Sequence, residues 1–122
     1  MIALVIVAIL SALAFPAYQG QMRKNRRADG QRILLEVMQA QEKFFSRNST
    51  YTTDLIAGLG FNDAGGGTVL SENGFYVVSV QACPTFAIGQ CVELTATAQG
   101  PQVVDGNLTY NSRNEKTPVA NW

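Results

Sequence analysis

No charged residue falls between Met1 and Met22, and Arg23, Lys24, Arg26, Arg27 and Arg32 follow at once. The run Met1-Ile2-Ala3-Leu4-Val5-Ile6-Val7-Ala8-Ile9-Leu10 is wholly apolar, and after Ser11 the sequence Ala12-Leu13-Ala14-Phe15-Pro16-Ala17-Tyr18 continues it. As a helix, such a run rises about 27 Å, close to the ~30 Å hydrocarbon core of a bilayer. Ser11 can donate its hydroxyl back to the preceding turn. Pro16 removes one backbone hydrogen bond and crowds the turn before it, so it marks a kink or a stretch able to melt.

Beyond Ala17 the pattern changes period. Ile33, Leu34, Val37, Met38, Ala40, Phe44 and Phe45 recur at helical spacing, with Gln31, Arg32, Glu36, Gln39, Glu42 and Lys43 on much of the opposite face. This predicts one long helix to about Arg47, with an apolar half (1–22) and an amphipathic half (23–47) that packs on a sheet. The first half has no polar face, so it must lie in lipid or against copies of itself. The cluster Asn48-Ser49-Thr50-Tyr51-Thr52-Thr53-Asp54 ends the helix, and Asp54 is placed to cap a short turn through Leu55, Ile56 and Leu59. A connecting region (48–74) follows. Its glycines, Gly65 to Gly67 among them, lack the Lys-Ser/Thr of a phosphate loop and read as surface loop.

The remainder (75–122) reads as short strands joined by loops. Gly74 to Cys83 is rich in β-branched and aromatic residues. From Cys91 to Ala98, Val92, Leu94, Ala96 and Ala98 face one side while Glu93, Thr95 and Thr97 face the other, as in a half-buried antiparallel strand. Asp105-Gly106-Asn107 is a turn signal before a third short strand, Leu108 to Asn111. Short connections favour a meander. The fold class is therefore α+β, a long N-terminal helix packed on a small antiparallel sheet.

Charge adds an asymmetry. Residues 1–47 carry seven basic and three acidic side chains, and residues 48–122 carry two basic and six acidic ones. The chain is a basic stalk on an acidic head, and by composition nucleic acid is not indicated as a partner. With no histidine, the commonest general base and metal ligand are missing, so no enzyme, cofactor or metal is expected. Cys83 and Cys91 are the only cysteines, with seven residues between them. Two cysteines without histidine do not make a zinc site, and a redox pair would favour C-x-x-C spacing. A structural disulfide closing the hairpin loop is the reading that fits an oxidising compartment.

Three fates fit the N-terminal segment. Ala12-Leu13-Ala14 has the form of a signal-peptide cleavage site, but no basic region precedes the apolar run. A plain membrane anchor fits the length, yet the basic cluster would then face the cytoplasm and leave the cysteine pair in a reducing compartment. The third fate is a helix held in the membrane until it packs into an assembly.

The run from Met1 to Tyr18 resembles the N-terminus of the type IV pilins. Phe44-Phe45 followed by Tyr51-Thr52-Thr53-Asp54-Leu55, and Leu108-Thr109-Tyr110 through Lys116-Thr117-Pro118 to Trp122, are similar to small or minor pilins of the type IVa class. The resemblance implies a mature pilin lacking its first few residues, since the family's processing signature and its glutamate have no counterpart here. It implies a filament core of Met1, Ile2, Leu4, Val5, Ile6, Val7, Ile9, Leu10, Leu13 and Phe15, with a helix break at Pro16. It further implies inter-subunit pairing of Arg23, Lys24, Arg26 and Arg27 with acidic residues such as Glu36, Glu42 or Asp54 of neighbours. The implied partners are further copies and other pilins in a helical filament, a prepilin peptidase, an inner-membrane assembly platform, and the membrane before assembly. The implied location is the bacterial inner membrane, then the extracellular pilus.

The function expected first is thus a structural filament subunit serving adhesion, motility or DNA uptake. The alternatives are a minor pilin that primes or tips the filament, or a secretion pseudopilin. DNA uptake would call on Arg113 and Lys116, the head's only basic residues, and a calcium-binding pseudopilin head on Asp63, Asp105 and Asn107.

Overall fold

The computed structural model describes residues 1–118 and Trp122, and the side chains of residues 13–19 are not among those described. Helix α1 spans Ile2–Asn48 as one element. It ends where Ser49 turns into the left-handed region (φ 57°) and donates its N–H to the Phe45 carbonyl at 2.8 Å, satisfying one of the carbonyls a helix end leaves open. Ser11 Oγ donates to the Val7 carbonyl at 2.8 Å. The expected break at Pro16 and the side chains of Leu13 and Phe15 lie outside the described residues. Met1, Ile2, Leu4, Val5, Ile6, Val7, Ile9 and Leu10 are all exposed. Among the described residues no helix is long and apolar enough to cross a membrane.

The sheet has five antiparallel strands in sequence order: β1 (Val69–Leu70), β2 (Tyr76–Ala82), β3 (Val92–Ala98), β4 (Leu108–Asn111) and β5 (Lys116–Thr117). The central pair is in continuous register from Tyr76 opposite Ala98 to Ala82 opposite Val92. The alternation read from the sequence holds, because Val92, Leu94, Ala96 and Ala98 are all buried. They meet Ile33, Leu34, Val37 and Met38 of α1, together with Val78 and Leu108, in one core. The layout is α+β, a long N-terminal helix packed on an antiparallel sheet, as the sequence predicts. Strands β1 and β5 went unread in the sequence because two residues are too few to display a period. A 3-10 helix, η1 (Gly100–Asp105), occupies the approach to the expected turn.

The contacts along α1 order the head from one end to the other. Arg23 and Arg27 meet η1, Gly30 lies under the ring of Tyr76, and Gln41 grips Thr52. Thr50 lies beside Gly89 in the loop between β2 and β3. From Arg23 to Asn48 the axis rises about 38 Å. The loops 83–91 and 112–115 therefore lie at the end of the head distal to the apolar helix half, and η1 at the proximal end.

Candidate functional site

At the distal end two loops pack side by side. Cys83 and Cys91 are disulfide-bonded, with Cα atoms 5.4 Å apart, as their spacing predicts. Inside the closed loop Phe86 N–H donates to the Cys83 carbonyl at 3.0 Å, and Cys91 N–H to the Ala87 carbonyl at 3.1 Å. The loop is thus hydrogen-bonded as well as stapled. Its neighbour, the β4–β5 turn, is organised by Asn111. The Asn111 Oδ1 accepts the N–H groups of Arg113 (3.1 Å) and Glu115 (2.9 Å), and Asn114 takes the left-handed conformation (φ 64°) that asparagine tolerates. Ser112 joins the two loops, donating its N–H to the Val92 carbonyl at 2.9 Å and accepting Val92 N–H on Oγ at 3.1 Å.

This framework holds two cations against aromatic faces. The Arg113 guanidinium lies 5.0 Å from the ring centre of Phe86, itself 38% exposed on the stapled loop. The Lys116 ammonium lies 5.5 Å from the Tyr110 ring and 5.2 Å from the Trp122 ring. Those two rings sit 5.8 Å apart and tilted, and Trp122 Nε1 donates to the Thr117 carbonyl at 3.2 Å. Cations so placed keep their charge outward while losing side-chain freedom. The Thr109 and Thr117 hydroxyls hydrogen-bond across β4 and β5. Beside Arg113 lies a shallow cleft of about 280 Å³ lined by Pro84, Phe86, Glu93, Asn111 and Glu115. Its carboxylates temper the positive charge, and Glu115 is 3.9 Å from Arg113.

The basic stalk makes contacts within its own chain. Arg27 reaches across to η1 and donates twice to Asp105, Nε to Oδ2 at 2.7 Å and Nη2 to Oδ1 at 2.6 Å. The hydrogen bond raises Arg27 above its ordinary pKa against the opposing effect of burial, and it holds the Asp105 carboxyl below the usual range. Gln102, fully buried on η1, donates from Nε2 to the Arg23 carbonyl (3.2 Å), the Tyr76 hydroxyl (2.9 Å) and Asp105 Oδ2 (3.1 Å). Burial pushes the Tyr76 phenol up, and the Gln102 hydrogen bond opposes that shift. Arg26 stacks 4.9 Å from the Phe75 ring, and Arg32 pairs with Glu72 at 3.3 Å. Of the four residues expected to pair with neighbouring subunits, Arg23 and Lys24 are exposed, while Arg26 and Arg27 are occupied within the chain. No sequence signal foretold the Gln102 hub, since a lone glutamine after a proline is ordinary loop composition.

The three candidate calcium ligands are held apart by their own local partners. Asp63 Oδ1 accepts the N–H groups of Gly65 and Gly67, Asn107 Oδ1 accepts that of Ala98, and Asp105 holds Arg27. Each is turn chemistry or an ion pair.

A comparison with curated proteins found no match. A comparison with protein families matched residues 16–109 to the family described as type IV minor pilin ComP, DNA uptake sequence receptor. The match takes in the amphipathic helix, the connecting region, η1 and strands β1 to β3, and it stops within β4, before Arg113, Lys116 and Trp122. Spanning well over half of the 122 residues, it shows that the chain belongs to the type IV minor pilin ComP family of DNA uptake sequence receptors.

Proposed function

We propose that this chain is a minor pilin that captures DNA for uptake, binding it at the distal end of the head through the stapled loop and the β4–β5 hairpin. The observation that carries the proposal is the position of charge. The only two basic residues of the head, Arg113 and Lys116, stand on one hairpin at the end farthest from the apolar helix. Averaged over the head, the charge is acidic, and that average ranked DNA below a purely structural role. The family to which the chain belongs reverses that order. Two cations poised over Phe86, Tyr110 and Trp122 suit phosphate contacts, which position a nucleic acid without reading its sequence. Glu93 and Glu115 beside them repel a misplaced backbone and keep affinity modest.

In the same proposal the subunit enters a pilus through its exposed apolar half, Met1 to Leu10, packed against other pilins. Storage in the inner membrane, processing by a prepilin peptidase and passage through an assembly platform precede that step, and the head ends outside the cell.

The test is duplex DNA binding by the full chain across a salt series. Two phosphate contacts predict a slope of log affinity on log salt of about −1.8. Arg113→Ala with Lys116→Ala should weaken binding and bring the slope close to zero, whereas Arg23→Ala with Lys24→Ala should leave both unchanged. Undiminished binding by the Arg113/Lys116 variant rejects this interface. A loss confined to the Arg23/Lys24 variant would move the interface to the proximal end.

A further inference from the structure

At the proximal end η1 carries a feature that DNA binding does not use. Val103 is 59% exposed and Val104 75%, the most exposed large hydrophobic side chains of the head among the described residues. Pro101 beside them is exposed as well. The segment that presents them is firmly held. Gln102 is buried between them and the helix, with hydrogen bonds to the Arg23 carbonyl, Tyr76 and Asp105, and Asp105 takes both arms of its bond to Arg27. Gly106 N–H closes the 3-10 turn on the Val103 carbonyl at 3.1 Å. A rigid mount that offers two valines to water calls for an apolar environment at that place.

The charge around η1 says which environment. Arg23 and Lys24 are exposed on the adjoining turn of α1, and Arg26 and Arg27 stand one turn further on. Asp105, the one acidic residue of η1, is neutralised by Arg27. An apolar pair beside two exposed cations, Arg23 and Lys24, matches the boundary of an anionic bilayer, where acyl chains lie next to phosphates. Depth agrees. With the uncharged residues 1–22 in the hydrocarbon, Arg27 lies about 7.5 Å above Met22, at the outer edge of a headgroup layer of ~5–7.5 Å.

We propose that η1 and the basic turn of α1 form a lipid-facing surface, in which Val103 and Val104 enter the headgroup boundary of an anionic membrane while Arg23 and Lys24 contact its phosphates. The surface seats the head on the bilayer before assembly, and it rests on the membrane stage of the function proposed above. Leaving the membrane for the filament then breaks this seat as well as the contacts of the apolar helix.

The experiment places one tryptophan at a time in the full chain reconstituted into vesicles. Trp122→Phe removes the native tryptophan, Val104→Trp reports on η1, and Leu10→Trp reports on the apolar helix. The vesicles are phosphatidylcholine alone or mixed with phosphatidylglycerol, with bromine at shallow or deep acyl positions. The Val104→Trp emission should shift to the blue and be quenched most by shallow bromine, and more so with phosphatidylglycerol. Arg23→Gln with Lys24→Gln should abolish that lipid difference. Should the Leu10 probe be quenched while the Val104 probe keeps its aqueous emission, the helix is inserted and the lipid-facing surface is wrong. Quenching of neither probe removes the membrane stage itself and this surface with it. A Val104 probe shielded only in assembled filaments assigns the valines to a neighbouring pilin and overturns the inference.

Discussion

Gly30 tests whether the helix-to-sheet contact is as tight as its geometry implies. It lies on the buried face of α1 beneath Tyr76, and a methyl group placed there would stand 2.8 to 2.9 Å from Cδ2, Cε2 and Cγ of that ring. Carbon atoms prefer about 3.5–4.0 Å, so three contacts would each be too short. The ring cannot simply retreat. Tyr76 is fully buried, and its hydroxyl accepts the Gln102 Nε2 hydrogen bond at 2.9 Å. Overpacking of this kind costs about 1–3 kcal/mol. Alanine recovers about 1 kcal/mol of helix propensity relative to glycine. Three simultaneous short contacts with a buried ring place the overpacking cost in the upper half of its range, about 2–3 kcal/mol, so Gly30→Ala should destabilise by about 1–2 kcal/mol net, which lowers the melting temperature by about 4–8 °C per kcal/mol for a head of this size. Urea unfolding of the full chain in detergent, followed by near-ultraviolet circular dichroism, should show an earlier midpoint at unchanged slope. Tyr76→Leu should relieve the penalty, so that Gly30→Ala becomes neutral or stabilising in that background. A Gly30→Ala chain as stable as its parent, or a penalty that survives Tyr76→Leu intact, would refute the reasoning.

Asp105→Asn should cost about 1–2 kcal/mol at neutral pH, because it removes the charge from a paired and largely buried hydrogen bond. Since Asp105 titrates lower in the folded chain than in the unfolded one, its contribution is present above the unfolded value of about 3.9 and is lost as pH falls through the folded value. Stability curves of parent and variant should accordingly converge in acid, and a gap that persists there would show that the charge is not its source. Replacing Cys83 and Cys91 by serine should destabilise by about 2–3 kcal/mol for so short a loop, and equilibrium unfolding measures it. The same variant should bind DNA more weakly, because Phe86 would lose the staple that holds it beneath Arg113; binding at full strength would remove the loop from the interface.

The sequence by itself determined the long helix, its change from apolar to amphipathic, the three longer strands and the disulfide. Each follows from a local pattern: a period of 3.6 around Ile33 to Met38, a period of two from Val92 to Ala98, and a cysteine pair with no other partner. The pilin resemblance was legible for the same reason, since it rests on contiguous runs. What only the tertiary structure decided are the polar contacts between distant segments. Arg27 and Asp105 are separated by 78 positions, and Gln102 reaches Tyr76 and Arg23. Gln41, buried among apolar neighbours, spans the helix end by donating Nε2 to the Thr52 carbonyl and accepting Thr52 N–H on Oε1. None of these residues departs from surface composition, so no window of sequence marks them out. Charge behaved likewise. Summed along the chain, Arg113 and Lys116 are a small minority in an acidic head, and folding sets both on one hairpin over aromatic rings. Electrostatic attraction depends on distance in space, and folding sets that distance while composition averages it away.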